Sequence, residues 1–475
     1  MSKYQTVIGL ELHCALKTNS KVFSPSRNSY NEIANNNVNE IDLSFPGIMP
    51  SLNKEAVRKA LKMSIILGCK QPDELLFDRK NYYYPDLPKG CKITQVTKPV
   101  GTDGKVRLIA DNHEFDVILH DIHLEEDTAS LDHYSNYTLI DYNRAGVPLI
   151  EIVTTPCLHS GEEAVAFLEF LANSFKYCDI SEADTKKGQI RCDVNINLKD
   201  ESGNYITPKV EIKNINSFTH VLNAINYEVE RQTKAYETGC EELVQETRRY
   251  DEETDTTIRM RTKVDSVDYK YFVEPNIPRI KIEDSLLDEI RKEIPVLPNQ
   301  RLIKYITEYN LAEGEAKTIV KDKNLSDYFD KTINLGVDAK TTFNYLSGQI
   351  LGYLNKEYLS ITDIYLTPER LKFIIGEVTK GTISSKQGKE LIMKCLEEKE
   401  EPNVLMEKYG MKQMDNDSEL ETIIDNILSN NQNLIEEYHN GRTNIFDFFV
   451  GQIMKETRGK ANPVKAKEIL TNKLK

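Results

Sequence analysis

The stretch GLELHCALK, residues 9–17, constrains this chain more than any other. Strict alternation of apolar and polar side chains is the mark of a β-strand covered on one face only. Leu10, Leu12, Cys14 and Leu16 share the covered face, and Glu11 and His13 share the open one. A carboxylate and an imidazole two residues apart therefore point the same way.

The same parity recurs. In DVILHDIHLEED (116–127), Asp121, His123, Glu125 and Asp127 fall on one face, and Ile118, Ile122, Leu124 and Glu126 on the other. Parity thus favours Glu125 over Glu126 for an open polar face. In IRCDVNINLK (190–199), Arg191, Asp193, Asn195 and Asn197 fall together; in KVEIKN (209–214), Glu211 aligns with Lys213. In PLIEIV, Glu151 sits between Ile150 and Ile152, which face the core.

One such strand means little, because any half-exposed antiparallel strand alternates in this way. Five acid-bearing strands, with His13, Arg191 and Lys213, ask for more. Stacked carboxylates repel and need a cation to be tolerated together. An oxygen-rich set with at most one imidazole favours Mg²⁺ or Mn²⁺ over zinc. Magnesium held this way commonly brings nucleotide phosphates, which arginine and lysine neutralise. The loop FDRKNYYYPDLPKG (77–90) adds tyrosines suited to a base or ribose, Tyr82 and Tyr83 among them, beside Lys80. A structural loop explains that composition equally well. There is no GxxxxGK[ST] and no GxGxxG, so an ATP site here is expected to be a sheet cradle rather than a P-loop or Rossmann turn.

The chain of 475 residues is long enough for two to four domains. Residues 1 to about 280 read as β-rich with interspersed helices: 53–68, 160–178 and 216–239 carry helical periods, each behind a capping residue, two ending at glycine. From about 285 onward the period is almost wholly helical. The charged, Pro-bearing EEKEEPNV near residue 400 marks a further boundary. In the tail, IFDFFVGQIMKETRG is amphipathic with Gly459 as C-cap, and Asn462–Pro463 opens the next helix. The expected division is 1–292, 293–403 and 404–475. The eight cysteines are scattered with no CxxC, which argues against a zinc cluster or disulfide framework. No long apolar run or signal-like start occurs, so a cytoplasmic chain with no membrane segment is expected. Net charge is −14, which alone disfavours a nucleic-acid partner. Yet residues 455–475 hold seven Lys/Arg against two Asp/Glu. That is either a solvated helix end or a phosphate-contacting patch.

Taken in order, VIGLELHCALKT, SKVFSPS, FDRKNYYYPDLPKG, HLEEDTAS, DYNRAGVPLIEIV, IRCDVNIN, EIKNINSF, QETRRYDEETDTTIRMR, DYKYFVEPN and FFVGQIMKETRGKANP resemble the GatB family, one of the subunits of the glutamyl/aspartyl-tRNA amidotransferases. The resemblance implies an α+β chain. A glutamine-synthetase-like antiparallel β cradle is followed by an all-α helical domain and a small helical YqeY-like tail. It implies ATP- and Mg²⁺-dependent phosphorylation of the side-chain carboxylate of Glu-tRNA(Gln) or Asp-tRNA(Asn). Ammonia channelled from a GatA glutaminase then displaces phosphate, with GatC as the third member of a heterotrimer. Glu11, His13 and Glu125 match the family's metal motifs, and Glu151, Asp193 and Glu211 are further candidates. Lys80 and Arg191 are candidates for phosphate or channel contacts and for catalysis, with Tyr82, Tyr83 and Lys213 also on the nucleotide. Lys455, Arg458 and Lys460 fall where the family's tail approaches tRNA. One departure matters: where many members carry a CxC…CxxC zinc cluster, this chain reads FSPSRNSYNEIANNNVNEIDLSFPG, and no zinc is expected. Two other readings remain open on the residues alone: a stand-alone glutamine-synthetase-like ligase for a small amino acid, and a non-catalytic tRNA-binding scaffold.

Overall fold

The computed structural model describes residues 3–30, 32–262, 268–411, 417–439, 442, 444–457, 461 and 463–474. Two compact units divide at Tyr305/Ile306.

The first unit is organised by one large sheet. Its principal strands are β1 (Gln5–Ala15), β4 (His113–Glu126), β5 (Pro148–Thr154), β6 (Ile190–Lys199), β7 (Val210–Ile215), β8 (Glu246–Asp251) and β9 (Thr256–Thr262). A separate hairpin pairs β2 (Asp78–Asn81) with β3 (Cys91–Thr94). The order across the sheet is β9-β8-β7-β6-β1-β5-β4, with Gly101–Thr102 and Lys105–Ala110 beyond. Every pair is antiparallel except β7 with β8. The expectation of a wholly antiparallel sheet is corrected there. The 21-residue helix between β7 and β8 carries the chain back to the same end, the crossover that parallel neighbours need.

The helices fall where the periods placed them: α1 (Lys54–Ile66), α2 (Gly161–Tyr177) and α3 (Phe218–Thr238). Asn53 and Ser160 accept N-terminal amide hydrogens and cap α1 and α2. Gly239 ends α3 at φ +66°, a left-handed conformation that costs a side chain strain. Ser217 precedes α3 but makes no side-chain cap bond.

The core lies between one sheet face and these helices. Leu10, Leu12, Ile150, Ile152, Val194 and Ile196 pack with Phe167, Leu171 and Phe175 of α2. The alternation of β1 thus holds: its even residues are buried, and Glu11 and His13 are half-buried on the opposite face.

The second unit is helical, from Glu313–Val320 to Pro463–Lys473. Residues Leu420 to Leu474 contribute an apolar cluster of their own, centred on Ile424, Phe449 and Ile453. The amphipathic tail helix spans Ile445–Glu456 and Thr457 follows it; Gly459 and Asn462, expected at the caps, lie outside the described residues.

Candidate metal and phosphate site

β1 is the hinge of the site because it is paired on both sides. Glu11 stands opposite Asp193 of β6, and His13 stands opposite Glu151 of β5 and Arg191 of β6. On the far side of β6, Asn195 is opposite Glu211 of β7. Directly opposed side chains on one face lie about 5 Å apart at Cβ. The register therefore sorts the six acidic and imidazole candidates into two groups. His13, Glu125 and Glu151 form one, and Glu11, Asp193 and Glu211 the other; within each, potential ligand atoms lie within 4.8 Å of one another.

In the first group His13 Nε2 is 3.3 Å from Glu151 and 3.8 Å from Glu125. Glu125, 2% exposed, accepts from Lys92 Nζ at 2.8 Å. Glu151 is shared with a second imidazole, His123 Nε2 at 3.0 Å, whose Nδ1 meets Asp121 at 2.7 Å. Burial works against charge on His123, but Glu151 and Asp121 outweigh it and hold its pKa up to about 10. His13 is raised for the same reason: burial is offset by Glu151 and then Glu125. Glu151 is correspondingly held well below the usual carboxylate range, burial being outweighed by the two histidines.

In the second group Lys213 Nζ bridges Glu211 at 2.7 Å and Asp193 at 2.9 Å. Glu11 accepts from Asn195 Nδ2 at 2.9 Å, and Glu211 from Thr247 Oγ1 at 3.2 Å. Arg191 reaches Asp127 at 3.2 Å. Asp127 is buried, which opposes its charge, yet Arg191, Arg144 and Lys92 keep it ionised below the normal range.

The donor chemistry of both groups fits a hard divalent cation. Five carboxylates and one imidazole make an oxygen-dominated set suited to Mg²⁺ or Mn²⁺. Lys92 and Lys213 balance part of the charge, one in each group.

Lys80 is opposite Lys92 in the β2–β3 hairpin and so shares its face; its ammonium lies 4.8 Å over the Tyr269 ring. Tyr82 packs edge-on against Tyr269, and burial pushes its phenol up to about 12. Tyr83 is 93% exposed. Glu126 is nearly as buried as Glu125 but serves elsewhere, accepting from Lys89 and from the Ile93 amide. Lys455 is exposed on the Ile445–Glu456 helix, and Arg458 and Lys460 lie outside the described residues.

Lys92, His123, Asp121, Asn195 and Asp127 join the site without being expected there as ligands or anion contacts. Parity puts His123, Asp121 and Asp127 on the face of Glu125, so that signal is present in the sequence. Lys92 joins through the β2–β3 pairing, which no local pattern reveals.

The acid-lined open face belongs to a catalytic chain of the amidotransferase class: the family described as GatB/GatE catalytic domain matches residues 6–288, and the GatB domain family matches residues 327–474. Three curated relatives are 41% identical across 99% of both chains. They are the B subunits of the aspartyl/glutamyl-tRNA(Asn/Gln) amidotransferases of Oceanobacillus iheyensis, Bacillus thuringiensis subsp. konkukian and Bacillus mycoides. The chain belongs to this family, the GatB subunits of the aspartyl/glutamyl-tRNA(Asn/Gln) amidotransferases. Among the described residues no helix is long and apolar enough to cross a membrane.

Proposed function

We propose that this chain activates the side-chain carboxylate of Glu-tRNA(Gln) or Asp-tRNA(Asn) with ATP, and presents the acyl phosphate to ammonia. The observation that carries the reading is the pair of cation-ready groups set two residues apart along one strand. A carboxylate is a poor acyl donor until phosphorylated, and phosphoryl transfer asks for charge stabilisation and positioning rather than a protein nucleophile. The γ-phosphoryl passes to a carboxylate oxygen, releasing ADP. Ammonia then attacks the carbonyl carbon and phosphate leaves.

Glu11, Asp193 and Glu211 would hold one Mg²⁺, and His13, Glu125 and Glu151 a second. Bound Mg²⁺ supplies neutralisation of the phosphoryl oxygens. Arg191, Lys92, Lys80 and Lys213 orient the anionic groups from their anchored positions. Tyr82 belongs to the wall over the nucleotide, and Tyr83 is free to swing onto it. His123 fixes Glu151 through the Asp121–His123–Glu151 chain and so aims the first group.

The wider assembly follows the family: a GatA glutaminase as ammonia source, GatC completing a heterotrimer, a cytoplasmic setting, and no zinc. The fold follows it too: a glutamine-synthetase-like cradle over 1–292, a helical domain over 293–403, and a YqeY-like tail over 404–475 that meets tRNA through Lys455, Arg458 and Lys460.

The test is amidation of each misacylated tRNA by the reconstituted complex. Glu11→Ala and His13→Ala should each abolish ATP-dependent amidation, with glutamine hydrolysis retained as the check on assembly. Amidation that survives both changes sinks the metal-site reading.

A further inference from the structure

A small sheet stands over one end of the site. The short strand Phe272–Val273 adds to β2 of the β2–β3 hairpin, antiparallel, with Phe272 opposite Arg79. Continuing that register by one residue brings Tyr271 beside Lys80, which is itself opposite Lys92. Tyr271, Lys80 and Lys92 therefore share one face of this small sheet. That face is turned to the first group, because Lys92 reaches Glu125 at 2.8 Å. The other face is anchored: Arg79 pairs with the buried Glu274 and lies over the Phe272 ring.

The aromatic side chains here form a row. Tyr82 meets Tyr269 edge-on at 5.7 Å between ring centroids, and Tyr269 meets Tyr271 in the same way at 5.9 Å. Backbone bonds hold the row in place. The Asn81 amide donates to the Tyr269 carbonyl at 3.0 Å, and Asn81 Nδ2 to the Lys270 carbonyl at 2.7 Å. Between the two tyrosines Lys270 takes φ +49°, a left-handed conformation that costs a non-glycine residue strain and persists only where its surroundings fix it. Burial, and after it Tyr269, Glu151 and Glu125, push the Tyr271 phenol pKa up; both of those carboxylates belong to the first group.

Such a row is a wall and not a platform for stacking a base. Tyr269 already carries the Lys80 ammonium at 4.8 Å over its ring, and its flanks carry the other two tyrosines. Beside a phosphorylated carboxylate, an apolar wall keeps water out. The acyl phosphate has two fates. Ammonia attacks the carbonyl carbon, the bond from that carbon to the phosphate oxygen breaks, and the amide forms. Water attacks the same carbon, the same bond breaks, a proton is released, and the free carboxylate returns with ATP hydrolysed and no amide made.

We infer that the Tyr82–Tyr269–Tyr271 row is a water shield over the His13–Glu125–Glu151 group, and that Tyr271 sets how much acyl phosphate is lost to water. The inference rests on the proposed function and adds what protects its intermediate. Tyr271 is the most exposed ring of the row, at 44%, and so stands where solvent would enter.

The experiment uses the complete complex carrying Tyr271→Ala, Tyr271→Phe or Tyr269→Leu, with misacylated tRNA, ATP and glutamine. Glutamine hydrolysis is the check on assembly. Phosphate released is measured against amide formed, in ¹⁸O-enriched water. Water attacking carbon leaves label in the side-chain carboxylate; water attacking phosphorus leaves it in phosphate. Tyr271→Ala should raise phosphate per amide threefold or more, with label entering the carboxylate. Tyr269→Leu, which removes the middle of the row, should do the same, and Tyr271→Phe, which keeps the ring, should hold the wild-type ratio. An unchanged ratio in Tyr271→Ala overturns the inference, as does extra label confined to phosphate. A Tyr271→Phe ratio as high as that of Tyr271→Ala also overturns it, since the hydroxyl and not the ring would then be at work. Phosphate release and amidation lost together, with glutamine hydrolysis intact, overturns it too, because the row would then serve phosphorylation. If the wild-type complex amidates neither tRNA, the proposed function itself fails; an active wild type with fully coupled variants removes the shield alone.

Discussion

Lys213→Met separates a cation-binding site from a merely structural cluster. The Lys213 ammonium sits between Glu211 and Asp193, two carboxylates whose side chains are 8% and 9% exposed. A unit-charge pair near contact is worth about 4 kcal/mol at an effective dielectric of 20. Lys213 is 30% exposed, and solvent screening takes roughly half of that from each pair. Methionine keeps the stem's packing but leaves two buried carboxylates facing Glu11. The expected loss is about 3 kcal/mol, at the low end for breaking a buried pair. In a unit of this size that lowers Tm by roughly 6 °C. A divalent cation binds both proteins, but more tightly where the competing ammonium is gone: at a hundredfold over the variant's Kd and near that of wild type, it returns about 2.7 kcal/mol to the variant and only about 0.4 to wild type. Thermal unfolding in EDTA and in excess Mg²⁺ reads both. The variant should fall well below wild type in EDTA and draw nearly level in Mg²⁺. An equal deficit in the two buffers would refute the reasoning, since a packing defect is blind to magnesium.

Other expectations follow from the same charges. Glu228 of α3 is buried, which opposes its ionisation, but Arg231, Thr257 and Gln232 hold its pKa below the normal carboxylate value. A depressed folded pKa stabilises above the unfolded value of about 4.3 and is lost as pH falls through the folded one. Glu228→Gln should therefore cost about 3 kcal/mol at pH 7, with the Tm gap to wild type holding down to about pH 4.3 and closing only below it, as pH falls through the folded pKa; a gap that stays constant below about pH 4.3 contradicts it. Removing residues 412–475 leaves the Pro402–Lys408 helix in place and should weaken tRNA binding while sparing glutamine hydrolysis by the complex; unchanged tRNA affinity would remove the tail from recognition. Elemental analysis of purified protein should find no stoichiometric zinc.

Parity was enough to group Glu11 with His13 and to prefer Glu125, because a strand's two faces are written in its own residues. It was enough to find α1, α2 and α3 from their periods and caps. It could not divide the acids into two groups, since that division is made by pairing partners more than 130 residues away: Glu151 on one flank of β1 and Asp193 on the other. Lys92 is invisible for the same reason. The parallel β7–β8 pair was also hidden, as strand direction depends on where a crossover helix returns, not on strand composition. Glu126 shows parity working at one remove: off the open face, it is spent anchoring Lys89 and the Ile93 amide.

The central place of β1 has a consequence for how the molecule is made. β1 leaves the ribosome before either strand that pairs with it, and its last partner residue is Lys199, opposite Gln5. At ordinary elongation rates the wait is roughly 10–40 s. Until β5 is made, by Thr154, a strand with four buried apolar positions on one face has both hydrogen-bonding edges vacant, and one edge stays vacant until β6 follows, the condition under which chains pair with the wrong neighbour. The strand on which both acidic groups depend is thus made before its partners and among the last secured. Nascent-chain chaperoning over its first two hundred residues, more than final stability, should govern how much active protein a cell obtains.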